Sequence, residues 1–482
     1  MALPGGDDWT LSLRRDVVLR LHGPEAPRVD GPWGSLQLSS GSPGVLAALV
    51  ALGNGGRTET ELGTIVLDTE GLTGLTRFLG DLRQILARGY LARTVLSDGT
   101  PLATLISESP FETAAGDGSA QEPWLLSRFT TSRRSEGEWI LETPLSSFRI
   151  VLNDPGAMGL LHALRRPMGA LEFEAFAERS LDIPRGVARS WMAMLGAARM
   201  LTSLDQGGAE GISREDKDPV LSAWSDHDLT FHSRSRYGRD AGPRGATFRF
   251  AGKIAPFPAV KPLPATDGPA IQLPKPDLER LRSTDPTLAT VTESRRSVRI
   301  HRGPPLTLQQ LGCFLYRTVR TEGIRSYVAA HDSSGGPVEM EIVRRPYPSG
   351  GSIHELEFYL TAHSVEAPVR RLVYYYDPVG HRLLPMPRSE RWVDGLLSYA
   401  RQSAAVEENP QLLITFAARY PRMGWKYDGM AYAAILKNVG VVYHGMYLAA
   451  TAMGLAACAL GNGDSDLFAA AVALSWNQPT AA

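Results

Sequence analysis

Ser294-Arg295-Arg296-Ser297-Val298-Arg299, followed closely by Pro305-Leu306-Thr307-Leu308-Gln309-Gln310-Leu311, is the stretch on which the fold turns. Thr307 with Gln310 three residues on forms a capping box. Leu308, Leu311, Phe314 and Leu315 then recur at the spacing of one helix face. A basic, hydroxyl-bearing segment therefore runs straight into a capped amphipathic helix. Guanidinium forks and hydroxyls at this density suit one anion with several oxygens, such as a phosphate. On charge alone, a solvated basic loop before a helix is the plainer reading.

Downstream the pattern is mixed. Residues 355–360 alternate as a strand, and residues 371–376, a turn at Asp377-Pro378-Val379-Gly380, and residues 381–386 read as a hairpin. Residues 412–417 form a short apolar run suited to a central buried strand. Residues 392–406 and 431–460 read as helices. Upstream, seven prolines between Pro256 and Pro276 predict an extended, stiff connector and a domain boundary.

The first half carries a faint repeat. Ser35-Leu36-Gln37-Leu38 and Ser147-Phe148-Arg149-Ile150 are strand candidates, each leading to Pro-Gly, at Pro43-Gly44 and Pro155-Gly156. The same apolar frame follows, Leu49, Ala51 and Leu52 in one copy and Leu161, Ala163 and Leu164 in the other. Two further amphipathic helices come next, through Phe78, Leu82 and Ile85 or through Trp191, Met194 and Leu195. Residues 91–106, broken at Asp98-Gly99, read as a hairpin. Strand, three helices and hairpin describe a winged helix; a shared helical scaffold with chance identities is the alternative. The third helix sets only Arg77, Arg83 and Arg88 against Asp81, which is no basic recognition face. A peptide held along a strand edge is the other use of such a scaffold.

Composition narrows the classes. The 482 residues are 43% hydrophobic and 21% charged with a formal net charge of -1, so neither disorder nor a global pull toward nucleic acid or membrane is expected. Cys313 and Cys458 have no CxxC partner, which argues against structural zinc or a disulfide framework. Cys458 reads as a small core residue on the apolar helix. The opening MALPGGDDWTLSLRRD lacks an apolar signal core, so a cytoplasmic protein is expected. Residues 438–462 are uncharged apart from His444, yet their Ala, Gly and Tyr content favours a helix buried in a core or subunit interface over a membrane span. No GxGxxG or Walker pattern occurs, and no histidines fall at i,i+4 to hold a metal. Asp464 and Asp466 suit a polar helix start better than a calcium loop.

The basic segment resembles the opening of nitroreductase-superfamily proteins, where R-(R/H)-S holds the FMN phosphate and ribityl chain. Residues Arg345-Pro346-Tyr347-Pro348-Ser349-Gly350-Gly351, continuing to Leu356-Glu357, are similar to the loop that lies on the flavin ring there. A flat tricycle needs backbone at van der Waals distance, which paired glycines permit. Arg419-Tyr420-Pro421-Arg422-Met423-Gly424-Trp425-Lys426-Tyr427 resembles the Lys-Tyr pair of the SagB/ThcOx-type azoline dehydrogenases of thiazole/oxazole-modified peptide (RiPP) pathways. Leu436-Lys437-Asn438-Val439-Gly440, and the run from Tyr447 to Gly461-Asn462-Gly463-Asp464-Ser465-Asp466-Leu467-Phe468, are similar to that branch's long helix and its ending. Trp224, His227-Asp228-Leu229, residues 231–236 and Gly238-Arg239 resemble its lead-in. The resemblance spans roughly residues 220–468 and reaches the repeat only as architecture. His444 stands where relatives carry an amide, and the given sequence stops at Ala482 without their closing strand.

The resemblance implies an α+β protein: a C-terminal nitroreductase-like FMN domain, with a central mainly antiparallel sheet and flanking helices, preceded by tandem winged-helix-like domains. The expected bounds are 1–110 and 111–220 for the repeats, 221–280 for lead-in and linker, and 281–482 for the FMN-binding oxidase domain. It further implies a homodimer with FMN at the subunit interface. An azoline becomes an azole by losing a proton to a base and a hydride to flavin N5, with O2 reoxidising the flavin. Arg295, Arg296, Ser297 and Arg299 are expected at the phosphate; Pro348, Ser349, Gly350, Gly351, Gly461 and Gly463 at the rest of the cofactor; Lys426 and Tyr427 at the proton. Neighbours in a strand face opposite ways, so both reach one ring only from a loop or bulge, which Gly424 and Asp428-Gly429 suggest. The implied partners are an azoline-containing precursor peptide and a cyclodehydratase complex. The alternatives are an NAD(P)H-dependent flavin reductase of the same superfamily and a non-catalytic peptide-binding partner.

Overall fold

Proline is tolerated at the first position of a helix because its missing N–H would bond nothing there, and both copies of the repeat use it. The computed structural model describes residues 9–21, 26–39, 41–109, 123–204, 212–237 and 242–474. Gly238-Arg239 and the last eight residues lie outside them. The chain divides into two units, Met1–Gly242 and Pro243–Ala482.

In the first unit β1 (Thr10–Leu13) precedes a small sheet of β2 (Val18–Arg20), β3 (Arg28–Gly31) and β4 (Gly34–Gln37). Helix α1 (Pro43–Gly53) starts on Pro43, and α2 (Glu59–Ala87) starts on a Thr58/Glu61 capping box. Gly71, at φ +63, breaks α2 in two, so the copy holds the three helices the periodicity predicts. Just before the break, Glu70 accepts from Ser42 Oγ at 2.7 Å and from Gly44 N at 2.7 Å, capping α1 from its neighbour. The hairpin is β5 (Leu91–Ser97) and β6 (Thr100–Ser107), turning at Asp98-Gly99.

The second copy runs through β7 (Trp124–Leu126), β8 (Thr131–Ser135), β9 (Glu138–Glu142), β10 (Phe148–Leu152), α3 (Pro155–Ala163), α4 (Ala170–Leu181), α5 (Arg185–Ala197) and β11 (Leu201–Ser203). Leu49 and Leu52, and their counterparts Leu161 and Leu164, are buried in two separate cores. The copies nevertheless share one six-stranded sheet, ordered β1-β5-β6-β10-β9-β8, in which β6 of the first pairs antiparallel with β10 of the second. Short helices α6 (Arg214–Lys217) and α7 (Asp226–Arg234) follow.

The second unit opens with β12 (Gly245–Ala246), β13 (Ile271–Gln272), α8 (Leu278–Thr284), α9 (Leu288–Ser294) and α10 (Leu308–Val319), the last on the expected Thr307/Gln310 box. A two-stranded ribbon of β14 (Gly323–His331) and β15 (Pro337–Arg344) comes next. The main sheet uses β16 (Leu356–Ala362), β17 (Val373–Asp377) and β18 (Arg382–Pro385); then follow α11 (Val393–Ala404), β19 (Leu412–Ala418), α12 (Tyr420–Lys426), β20 (Tyr427–Asp428), α13 (Ala431–Ala452) and α14 (Ser465–Ala471). Its order is β13-β18-β17-β16-β19, antiparallel throughout. Phe358, Leu360, Tyr374 and Tyr376 pack with residues of α10 and α13 on one face, and Tyr359, Val373 and Tyr375 with α11 and α14 on the other. Sandwiching by helices explains why every residue of β16 is buried.

Several expectations change. Among the described residues, 412–418 form an edge strand, paired with β16 alone. Their run is apolar because Leu412, Ile414 and Phe416 pack into one core and Leu413 and Ala417 into the other. The long helix ends at Ala452 rather than Leu460: Gly454 takes φ +67, and Leu455 N bonds back to Ala450 O at 2.8 Å, a glycine stop. Cys458 is consequently on the extended tail and half-buried, not on the helix. Asp464 does start a helix, accepting from Leu467 N at 2.8 Å. Helix α13 is buried along one stripe only, and Tyr432 (54% exposed) and Leu436 (46%) face outward.

The proline-rich stretch is extended but strapped onto the second unit, and the division between units falls before it, at Gly242. Backbone that cannot donate into a ladder is held here by its carbonyls. Arg422 donates to Phe257 O at 2.5 Å, Arg419 to Pro258 O at 2.7 Å, and Trp425 Nε1 to Ile254 O at 2.8 Å.

Candidate functional site

Asn438 interrupts the apolar stripe of α13 between Ile435 and Val442, and it organises the glycine loop. Its Oδ1 accepts from Gly350 N at 3.2 Å, while its Nδ2 donates to Ser349 Oγ at 3.1 Å and to Glu355 Oε1 at 2.9 Å. Ser349 Oγ also accepts from His354 N at 3.0 Å. Burial pushes the Glu355 carboxyl above the usual glutamate range, although the Asn438 bonds oppose it. His354 is buried against Tyr347, its pKa pulled down to about 3 by desolvation first and then by the Arg345 and Arg422 charges, so it sits neutral.

Gly351 adopts φ +61, which favours glycine, and a second feature disfavours any side chain here. A Cβ at this position would lie 2.5 Å from Tyr427 Oη and 2.6 Å from Lys426 Nζ. The tips of both expected catalytic side chains therefore converge on the backbone of the expected flavin loop. They do so from a helix end rather than a loop. Lys426 is the last residue of α12 and Tyr427 the first of β20, so the change from helical to extended backbone turns both side chains to one place. Helix α12 is fixed from below by Arg422, fully buried, whose Nε, Nη1 and Nη2 donate to Ile353 O, Phe257 O and Glu341 O. Desolvation lowers its pKa to about 10, which still leaves a cation at neutral pH. Lys426 Nζ donates to Tyr327 Oη at 3.2 Å and lies 5.5–5.8 Å from the ring centres of Phe248, Tyr327 and Tyr427.

The residues expected at the phosphate lie elsewhere, after α9 and against Tyr447 of α13. Arg295 caps α9 and places its guanidinium over the Tyr447 ring at 5.3 Å, and Ser297 Oγ is 2.9 Å from Tyr447 Oη. The same hydroxyl accepts from Ala459 N at 2.7 Å, and Val298 N bonds to Ala457 O, so residues 295–298 and 457–459 are clasped around Tyr447. Arg296 and Arg299 are exposed and pair with no carboxylate among the described residues. Arg299, Gly461 and Gly463 line a cleft of about 760 Å³ walled by β19, α13 and the 455–463 tail. Pro348 is exposed and, with Ser349 and His354, borders a second cavity of about 700 Å³ beside the β14–β15 ribbon.

Within one chain, then, Ser349, Gly350, Gly351, Lys426 and Tyr427 come together, while Arg295, Ser297, Arg299, Gly461 and Gly463 form a second station. Asn438 and Tyr447 mark the two, nine residues apart on α13 or ~13–14 Å at the helical rise. Unpaired guanidiniums at one station and a cradle that a Cβ would fill at the other fit a cofactor with a polyanionic end and a flat end. Among the described residues no group of three His, Cys, Asp or Glu is placed to hold a metal, and no helix is long and apolar enough to cross a membrane. Asn438 was not among the expected site residues, although its place as the lone amide in an apolar stripe was a signal that could have found it. Tyr327 and Glu355 carried no such signal, because their partners come from distant segments.

The second unit has the sheet and helices of a nitroreductase, and residues 292–479 match the nitroreductase family. Residues 7–113 match the ThcOx helix turn helix domain, and residues 124–241 match cyanobactin oxidase ThcOx. In this succession the three matches are those of a ThcOx-type oxidoreductase: its helix turn helix domain, its ThcOx segment and a nitroreductase domain. It is 25% identical over 198 residues to a Methanocaldococcus jannaschii protein named as a nitroreductase, covering 40% of this chain and 85% of that one. Among solved structures, a nitroreductase-titled protein of Ralstonia eutropha aligns over 49% of this chain and 93% of its own, at 22% identity and TM-score 0.33. The E. coli microcin synthetase McbBCD complex with truncated pro-MccB17 bound aligns over 42% and 77%, at 19% identity and TM-score 0.28.

Proposed function

We propose that this oxidoreductase uses FMN to oxidise thiazoline or oxazoline rings of a ribosomal precursor peptide to thiazole or oxazole. The observation that carries the reading is the meeting of Lys426 Nζ and Tyr427 Oη at Gly351. Arg295, Arg296, Ser297 and Arg299 would hold the phosphate, with Gly461 and Gly463 beside it, and Pro348, Ser349, Gly350 and Gly351 the ring system. Bound FMN supplies a hydride acceptor that O2 reoxidises. Lys426 and Tyr427 act as a pair: the Tyr427 oxygen takes the proton from the adjacent ring carbon with the Lys426 ammonium beside it as countercharge, and the rings of Phe248, Tyr327 and Tyr427 surround that ammonium. Asn438 and Glu355 hold the loop that carries Gly350 to its place.

The exposed apolar face of α13 supports pairing with a second copy, as the family resemblance implies, with the flavin at the subunit interface. Residues 1–110 and 111–220, with the 221–280 lead-in, would dock the precursor peptide or its cyclodehydratase complex. The test is the absorbance spectrum of purified protein followed by anaerobic mixing with an azoline peptide. Bleaching of the flavin together with loss of two hydrogens from the peptide supports the proposal. Bleaching by NADPH alone, with no change in the peptide, refutes it in favour of a flavin reductase.

A further inference from the structure

Tyr327 lies on the β14–β15 ribbon, about a hundred residues before Lys426 in sequence, in a segment that none of the site motifs includes. Strand periodicity aims it inward. Ile324 (48% exposed) and Val328 (49%) lie on the open side of β14, whereas Tyr327 and Ala329 pack against the core of the unit, and Tyr327 stands opposite the buried Met340 of β15. Its hydroxyl accepts a hydrogen bond from Lys426 Nζ at 3.2 Å. An ammonium has three donors and no acceptor. No other hydrogen-bond partner for Nζ is found among the described residues, and no carboxylate pairs with it.

A lysine on a four-carbon stem at the end of a short helix is otherwise free to swing among rotamers. What fixes its tip at Gly351 is this one hydrogen bond and the three surrounding rings. We propose that Tyr327 is a positioning residue: its phenol holds the Lys426 ammonium at the Gly351 backbone, leaving the other two N–H groups directed at whatever occupies that place. The ribbon thereby becomes part of the site, although it contributes no residue to the phosphate or glycine segments. The catalytic meaning rests on the proposed function; the contact itself does not.

Two measurements on the full-length chain separate the two. The first is the rate at which an amine-reactive reagent labels Lys426, followed by peptide mass spectrometry, with Lys253 and Lys437 as internal references. Tyr327→Phe should raise labelling of Lys426 several-fold and leave the references unchanged; an unchanged Lys426 rate overturns the inference, whatever the protein's reaction is. The second is single-turnover flavin bleaching by an azoline peptide. Tyr327→Phe should slow it ~10-fold at saturating peptide with KM little altered, the size of one lost hydrogen bond to a charged group. In a Lys426→Ala background the same substitution should add nothing. Equal slowing in both backgrounds means Tyr327 acts independently of Lys426 and overturns the positioning role. Faster labelling with no turnover of azolines by the wild-type chain upholds the contact and refutes the proposed function instead.

Discussion

Gly350 and Gly351 are neighbours with opposite tolerances, and the contrast tests the site without touching its reactive groups. At Gly351 an alanine meets φ +61, costing ~1–2 kcal/mol in left-handed backbone. Its Cβ would also stand 2.6 Å from Lys426 Nζ and 2.5 Å from Tyr427 Oη, where ordinary contact begins at 3.4 Å. Each tip must therefore retreat by about 0.8–0.9 Å (3.4 less 2.6 or 2.5). Both are ends of flexible side chains, so the fold bears this easily: a loss of ~1–2 kcal/mol in a unit this size lowers Tm by roughly 2–8 °C. Catalysis does not, since a misplacement near 1 Å costs on the order of 10²-fold. At Gly350 an added Cβ meets nothing nearer than 3.9 Å, from Ala434 and Met423. The assay is thermal melting and flavin content beside single-turnover oxidation of an azoline peptide. Gly351→Ala should stay folded and lose ~10²-fold in rate per bound flavin, and Gly350→Ala should keep the wild-type Tm and, per bound flavin, stay within about threefold of wild type, any loss there appearing in flavin content. A Gly351→Ala protein with near-native turnover, or equal losses at the two glycines, would falsify the placement of the lysine and tyrosine.

Lys426→Ala and Tyr427→Phe should retain flavin yet lose azole formation by ~10²–10⁴-fold, the range of a lost general base; chromatography of the peptide product decides it. His354 is neutral in the fold with its pKa lowered from 6.5 to about 3, so its contribution is fully present above pH ~6.5 and is lost as pH falls toward 3, because only the unfolded chain takes up the proton there. At a pH 1.5 units below 6.5 this amounts to ~2 kcal/mol, and His354→Asn, which tolerates the φ of +49, should flatten that limb of a Tm-against-pH curve. Tyr447→Phe removes the hydroxyl that joins Ser297 to Ala459 N; dialysis should show flavin lost several-fold faster, with Tm nearly unchanged, and full retention would contradict the clasp. Arg422→Met leaves three backbone carbonyls without their donor and should destabilise by ~1–3 kcal/mol for each acceptor left unsatisfied, read as a lower urea midpoint.

Much of this protein was decided locally. Helix starts at Pro43, Pro155 and Thr307, the Asp98-Gly99 turn and the stop of the apolar run are properties of a few adjacent residues, because caps, turns and periodicity involve partners within one or two turns of chain. The stop at Gly454 is local too, a glycine at φ +67, but apolar composition that runs on unbroken to Leu460 masks it. The candidate residue types were legible as well, but only the family resemblance turned a basic hydroxyl-rich segment, paired glycines and a Lys-Tyr dipeptide into expected sites for an anion, a flat ring and proton transfer.

What the chain could not state by itself is which of these segments meet. Apolar composition shows that residues 412–418 are covered on both faces, not that they lie at an edge, since burial by helices and burial between strands leave the same pattern. Proline density shows that residues 256–276 are extended, but their fastening to Arg419 and Arg422 depends on guanidiniums more than 150 positions away. The pairing of β6 with β10, which merges two repeats into one sheet, and the bond from Lys426 to Tyr327 are of the same kind. Such contacts form because the folded core brings distant backbone and side chains within hydrogen-bond reach, a condition that pattern along the chain does not encode. The candidate residues were written in the sequence; the convergence of Lys426 and Tyr427 on Gly351, and the placing of residues 295–298 against Tyr447 farther along α13, were decided by the tertiary structure.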